Sequence, residues 1–232
     1  HEAFADIVAL FQHFTLADAL KDQIARYRGD LSVADLLGGL AKEFGQAIGH
    51  RKALRLAIGV PPNRTDYEAS TEPHAHGAVL VAAVFDAFLK VYAHDTAPLF
   101  RLASAGTGEL PPGRIPHELV EQLARRAAKL AGRILGICIR ALDYCPPIDL
   151  TFGEYLRALI TADFDLVPHG GQVYRVAFVQ AFRARGIYPP GVTNLAIDAL
   201  LWERAETALD GLARLFEERQ ASWSVSKDRH EA

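Results

Sequence analysis

Two carboxylates stand four residues apart at the start of the chain, in the segment EAFAD (residues 2–6). On a helix this spacing puts Glu2 and Asp6 on one face, where their like charges repel. A metal site has a use for such a pair, because the first carboxylate can bind the metal while the second accepts a hydrogen bond from an imidazole ligand. The alternative is that both are solvated acids of a first helical turn, which the helix dipole favours.

The opening segment HEAFADI (residues 1–7) resembles the second zinc motif of the gluzincin metallopeptidases, the thermolysin-like group. In that family a Glu-x-x-x-Asp on a helix supplies the third metal ligand and the acid that orients a ligating histidine. The resemblance implies that Glu2 is a zinc ligand and that Asp6 is its orienting partner.

Three further segments follow in the family's order. ALR at residues 53–55 resembles the stretch with an arginine that hydrogen-bonds a substrate carbonyl and a glutamate ligand, which implies that role for Arg55. PHAHG at 73–77 resembles the segment whose histidine donates a hydrogen bond to the tetrahedral oxyanion. YRVAFVQAF at 174–182, followed by Gly186, resembles the family's closing helix. The resemblance therefore covers roughly residues 1–188.

His74 and His76 both lie near the place of the oxyanion histidine, and neither stands at the family's usual distance from the following glycine. We favour His74. An acidic partner would hold its imidazole in the donating tautomer, and Asp66, Glu68 and Glu72 are the candidates. The alternative is that either histidine caps the helix that follows.

The family's H-E-x-x-H motif, which carries two histidine ligands and the glutamate that activates water, does not occur in the sequence. His117-Glu118 lacks the second histidine. One carboxylate is far short of three protein ligands, so we expect zinc only where an upstream H-E-x-x-H segment completes the site. The chain opens at His1 and contains no methionine, and we therefore expect a fragment of a longer protein.

Helical periodicity runs through the chain, and alternating patterns long enough for a half-buried strand are nearly absent. The sequence predicts an all-α fold, a multi-helix bundle, which the resemblance likens to the C-terminal helical subdomain of thermolysin-like peptidases. We expect a gluzincin-like domain at 1–188, a C-terminal helix packed on it at 189–221, and a flexible tail at 222–232.

Capping and breaking residues set the expected helix bounds. Thr15 and Thr151 each begin a pattern typical of a capping box, and Pro98 is placed at the start of a new short helix. The first two helices are expected to form a hairpin. The expected helices span residues 2–14, 15–29, 32–48, 51–58, 76 onward, 98 onward, 117–144, 151 onward, 172–186 and 194–219.

Composition excludes some functions. With 25 basic and 28 acidic residues among 232, the net charge of -3 argues against a nucleic-acid partner. We find no signal peptide and no membrane span, because the richest apolar stretch, 78–92, contains Asp86 and Lys90.

Cys138 and Cys145 are expected to lie two helical turns apart, which is too far for a disulfide, and we expect both to be buried thiols. Free thiols favour a reducing compartment, with a lean towards the cytoplasm.

Other charged residues are assigned to the surface. Asp163 and Asp165 flank a helix end and are expected to be surface or capping groups. Arg125, Lys129 and Arg133 form a basic stripe at helical spacing, which we expect to be a solvated face because no aromatic residues interleave with it.

Two classes of function remain open. The first is the helical C-terminal part of a zinc metallopeptidase-like hydrolase, acting on a peptide or protein substrate and inactive without its upstream part. The second is a non-catalytic helical module that binds a protein segment in a groove, or a degenerate peptidase fold kept for binding. The helical binding module predicts that Glu2, Asp6, Arg55 and His74 lie on unrelated surfaces.

Overall fold

The computed structural model describes residues 2–32, 61–70, 72–168, 170–202 and residue 217. Regular structure in these ranges is helical throughout, with no strand, which confirms the all-α prediction. Arg55 and the helices expected within 33–60 lie outside the described residues. The elements are α1 Glu2–Gln12, a 3₁₀ turn His13–Thr15, α2 Ala17–Arg26, α3 Asp66–Ala69, α4 Pro73–Ala103, α5 His117–Arg140, a 3₁₀ turn Ala141–Tyr144, α6 Phe152–Leu166, α7 Gln172–Ala184 and α8 Ile197–Leu200.

The central element is α4, which packs against α1, α5 and α7. It begins at Pro73 and continues unbroken through Pro98, so the prediction of a new helix at Pro98 was wrong. Thr96, two residues before Pro98, is buried, and Phe100, two residues after it, is half-buried, so the helix stays packed against the core on both sides of the proline in sequence.

By length and composition alone α4 could cross a membrane, yet 72% of its most apolar window of 18 residues is buried inside the bundle. This burial is what a core helix shows. The pair α1 and α2 passes the same test together but is bent by 85°. The two helices therefore form a corner, and the expected hairpin was wrong.

Aromatic side chains fill the space between α1 and α4. Phe11 and Phe14 lie 5.6 and 4.9 Å from Phe88, ring centre to ring centre, in edge-to-face arrangements. All three rings are at most 2% exposed. Burying each contributes roughly 1.5–3 kcal/mol, so this cluster is a main attachment of α1 to the bundle.

The two expected capping boxes have different outcomes. Thr151 begins α6 with a complete capping box, in which its hydroxyl accepts the Glu154 N–H and Glu154 accepts the Thr151 N–H. Thr15 does not cap α2, because it still belongs to the 3₁₀ turn and its hydroxyl donates to the Gln12 carbonyl at 2.7 Å. The residue before α2 is Leu16, which has no side-chain oxygen.

A buried ion cluster joins α5, α6 and α7. Asp163 is fully buried and accepts hydrogen bonds from Arg175 Nε at 2.8 Å and Arg133 Nη2 at 3.1 Å. The prediction of Asp163 as a surface group was wrong, and Arg133 is not on a purely solvated face, since its guanidinium lies 4.0 Å from the Tyr174 ring centre. Two arginines from other helices allow Asp163 to be buried while charged.

The chain divides into two compact units, residues 1–202 and 203–232. Within the first unit, α8 ends at Leu200 and Leu201 is extended, so the helix expected at 194–219 is interrupted there. Arg157 of α6 donates to the carbonyls of Leu200 and Leu201. The predicted boundaries at 188 and 221 stay predictions.

Candidate functional site

The first turns of α1 and α4 meet at a pair of small residues. A side-chain carbon added at Gly77 would sit 3.4 Å from the Ala3 Cβ, so these helices are in close contact. Glu2 begins α1, and His74 lies in the first turn of α4. The contact therefore brings two residues from distant parts of the sequence to one place.

Local residues decide where α4 begins and hence where His74 lies. Glu72 is the N-cap, and its carboxylate accepts the Ala75 N–H at 2.7 Å. Backbone hydrogen bonds from Ala75 and then from His74 lower the pKa of Glu72. Pro73 occupies the first helical position, where its missing N–H costs nothing.

His74 Nδ1 lies 2.7 Å from Glu2 Oε2. Both side chains are well exposed, His74 by 58% and Glu2 by 62%. Because a carboxylate only accepts, Nδ1 is the donor, and a protonated ring would donate from Nε2 as well. A carboxylate has two oxygens, and the contact with His74 uses one of them.

The acid that lies 2.7 Å from the His74 ring is Glu2, which the sequence did not suggest as its partner, and Glu72 also interacts electrostatically with His74. Asp66 accepts hydrogen bonds from Arg185 Nη1 at 3.1 Å and from the Asn63 N–H at 2.9 Å. Glu72 is occupied as the helix cap. The three acids are near His74 along the chain, whereas Glu2 is distant in sequence and no local pattern pairs it with His74.

His76 has different surroundings. Its ring lies 4.6 Å from Tyr67 and 5.0 Å from Phe152, and its buried Nε2 has no hydrogen-bond partner among the described residues. Two residues along a helix correspond to a rotation of about 200°, so His76 and His74 occupy different faces of α4. The structure brings His74 to Glu2 and places His76 in an aromatic cluster.

Asp6 is half-buried on α1, one turn after Glu2. Arg55, the remaining predicted site residue, lies outside the described residues. Within the described ranges, no three His, Cys, Asp or Glu side chains are grouped closely enough to hold a metal ion. The described residues therefore offer Glu2 as one possible metal ligand, with His74 beside it.

An apolar cavity of about 710 Å³ opens beside the first turn of α1. Ala3 and Phe4 line it from α1, Leu80 from α4, and the segment 145–150 from the connection before α6. Ile148 of that connection is 75% exposed. An open apolar surface therefore lies beside Ala3, the residue that follows Glu2.

Comparison with models of protein families, with curated proteins and with solved structures finds no match to this chain.

Proposed function

We propose that this chain is the helical C-terminal part of a zinc metallopeptidase-like protein. In this proposal Glu2 is the third zinc ligand, Asp6 orients the ligands, and His74 donates a hydrogen bond to the oxyanion formed during peptide hydrolysis. The substrate is a peptide or protein. An upstream segment with H-E-x-x-H supplies the other two ligands and the base. Arg55 is assigned to hold the substrate carbonyl.

The contact of 2.7 Å between Glu2 and His74 is the observation that carries the proposal. The two residues were selected separately, from two motifs that resemble the gluzincin family. A module with no site would leave such residues on unrelated surfaces. Their meeting at the Ala3–Gly77 crossing supports a shared role.

Zinc itself does not fit the described residues as a complete site. Catalytic zinc takes three protein ligands, and the described part of the chain groups fewer than three ligand side chains. We therefore assign to this chain only ligation by Glu2 and hydrogen bonding by His74.

Substitution of Glu2 in the complete protein tests the metal role. We expect Glu2→Gln to lose stoichiometric zinc, measured by elemental analysis, together with peptide hydrolysis. Glu118→Gln is the matched control, because Glu118 is an exposed acid in the first turn of α5. Zinc retained at wild-type occupancy in Glu2→Gln contradicts the assignment.

Substitution of His74 tests the oxyanion role separately. In the complete protein we expect His74→Ala to keep zinc and to lower kcat by roughly 10²–10³-fold, as the loss of an oxyanion donor does. His117→Ala, an exposed histidine on α5, should leave kcat unchanged. If kcat falls in His76→Ala and not in His74→Ala, the oxyanion donor is His76 and the assignment to His74 is wrong.

The purified 232-residue chain should show no hydrolysis, because its zinc site is incomplete. Zinc-dependent hydrolysis by this chain alone would overturn that part of the proposal.

The second candidate, a binding module, is favoured by the apolar cavity and the exposed Ile148 beside it. If the sequence of the complete protein contains no H-E-x-x-H motif, the binding module is the supported function.

A further inference from the structure

A second cavity, of about 780 Å³, is lined by three basic side chains. Arg64 comes from the segment before α3, Lys90 from the middle of α4, and Arg183 from the last turn of α7. All three are exposed. Asn63 and Gln180 add polar groups, and none of the described lining residues is acidic. We refer to this cavity as the basic groove.

The backbone that carries Arg64 is firmly held. Its carbonyl oxygen packs directly against Gly186, at a position where a side-chain carbon would overlap it. Gly186 has φ of +76°, a conformation that suits glycine. The Tyr67 N–H also donates to the Arg185 carbonyl at 3.2 Å. The segment that presents Arg64 is therefore attached to the end of α7.

Arg185 links the three walls of the basic groove. Its side chain is only 3% exposed, and it donates to Asp86 of α4 at 2.8 Å and to Asp66 of α3 at 3.1 Å. Lys90 lies one turn after Asp86, and Arg183 lies two residues before Arg185. The segments that carry the basic side chains are thus connected by partly buried hydrogen bonds of Arg185.

Charge in this region is unbalanced. Among the described residues, Asp66 and Asp86 both pair with Arg185, and no acidic residue lines the groove beside Arg64, Lys90 and Arg183. The whole chain has a net charge of -3. Exposed like charges repel only weakly in water, and an anion that contacts all three side chains would be favoured.

We propose that the basic groove binds a small ligand carrying two linked phosphate groups. Arginine forks match phosphate oxygens in pairs, and lysine adds a point charge, so this set of side chains suits a compact and highly charged oxyanion. No described lining residue is aromatic, so the groove offers no ring on which a nucleic-acid base could stack.

Calorimetric titration of the 232-residue protein with inorganic pyrophosphate tests the proposal. We expect saturable binding at one site that weakens as salt is raised, because the contacts are exposed charges. Arg64→Ala, Lys90→Ala and Arg183→Ala should each raise Kd about fivefold or more. Arg183→Lys, which keeps the charge, should recover part of the affinity.

Matched controls separate the groove from the overall charge. Arg114→Ala and Lys129→Ala remove exposed cations outside the groove and should change Kd by less than about twofold. If an arginine variant fails to fold, Lys90→Ala still tests the groove, because Lys90 is an exposed residue of a long helix and its replacement should leave the fold intact. Absence of saturable binding, equal loss in the controls, or tighter binding of citrate or an acidic peptide overturns the proposal. None of these outcomes depends on zinc.

Discussion

Glu2 and His74 belong to different helices, and their side chains are joined by a contact of 2.7 Å between Oε2 and Nδ1. Because both side chains are more than half exposed, we expect this pair to add little to stability. In the 232-residue chain Glu2→Gln should change the free energy of unfolding by less than about 0.5 kcal/mol, measured by denaturant titration. A much larger loss would mean that the pair is structural, and zinc loss in this variant could then not be assigned to ligation.

Asp163 should be far more important for stability. Asp163→Asn removes a buried negative charge and leaves the guanidinium of Arg175, itself 5% exposed, without its ion-pair partner. Breaking a buried pair in this way costs about 3–5 kcal/mol. Asp143→Asn, which removes an exposed partner of Arg140, should cost less than about 0.5 kcal/mol. Equal effects in denaturant unfolding would contradict the central role of Asp163.

Gly186 should tolerate no side chain. An added Cβ in Gly186→Ala overlaps the Arg64 carbonyl oxygen, whereas the same change at Gly191 meets open space. Both glycines have positive φ, +76° and +72°. We expect about 1–2 kcal/mol of destabilisation at Gly191 from the backbone conformation alone, and a clearly larger loss at Gly186. Thermal unfolding of the two variants compares them directly, and equal losses would show that the Arg64 contact contributes nothing.

The capping box of α6 should contribute about 1 kcal/mol. Thr151→Ala removes the oxygen that accepts the Glu154 N–H at 3.1 Å. Thr15→Ala is the matched control, because Thr15 begins the same local pattern without capping a helix, and it should stay within about 0.5 kcal/mol. A loss as large for Thr15→Ala as for Thr151→Ala would contradict this account.

The contribution of Glu154 to stability should depend on pH. Hydrogen bonds from the Thr151 backbone N–H and hydroxyl lower the pKa of Glu154 below its ordinary 4.5. A lowered folded-state pKa stabilises the fold above the unfolded value, and the stabilisation is lost as pH falls through the folded value. The deficit of Glu154→Gln should thus be full at pH 7 and shrink in acid. A deficit independent of pH would show that the charge is not involved.

The two cysteines should be poorly reactive. Burial raises the pKa of Cys138 to about 12 and that of Cys145 to about 11, so little thiolate exists at neutral pH. We expect thiol reagents to modify half-buried Cys145 slowly and fully buried Cys138 only after unfolding. Titration of thiols with and without denaturant checks this. Rapid modification of Cys138 in the native protein would contradict its burial.

Much of the helical structure could be predicted because its signals are local. The Thr151 capping box and the helix from His117 needed only neighbouring residues. The helix predictions were wrong where packing against distant parts of the chain changes the structure that a similar local pattern adopts. Thr15 carries the same type of signal as Thr151, but it follows buried Phe14 in a 3₁₀ turn and cannot cap α2.

The structure shows that the side chains of Glu2 and His74 meet, and neither of the two sequence motifs predicts this pairing. Residue types and their order indicate Glu2 and His74 separately and favour His74 over His76, a choice that stays a prediction. Its partner was sought among acids nearby in sequence. The Glu2 partner follows from the crossing of α1 and α4 at Ala3 and Gly77, which no pattern within either helix specifies.

The sequence alone determined that this chain is helical, since the period of apolar residues is a property of each segment. Only the tertiary structure decided which polar groups meet. Asp163 shows the physical reason, because a carboxylate can be buried as an ion only where cations from other elements reach it. Arg133 and Arg175 do so from α5 and α7. Their convergence depends on how the whole bundle packs.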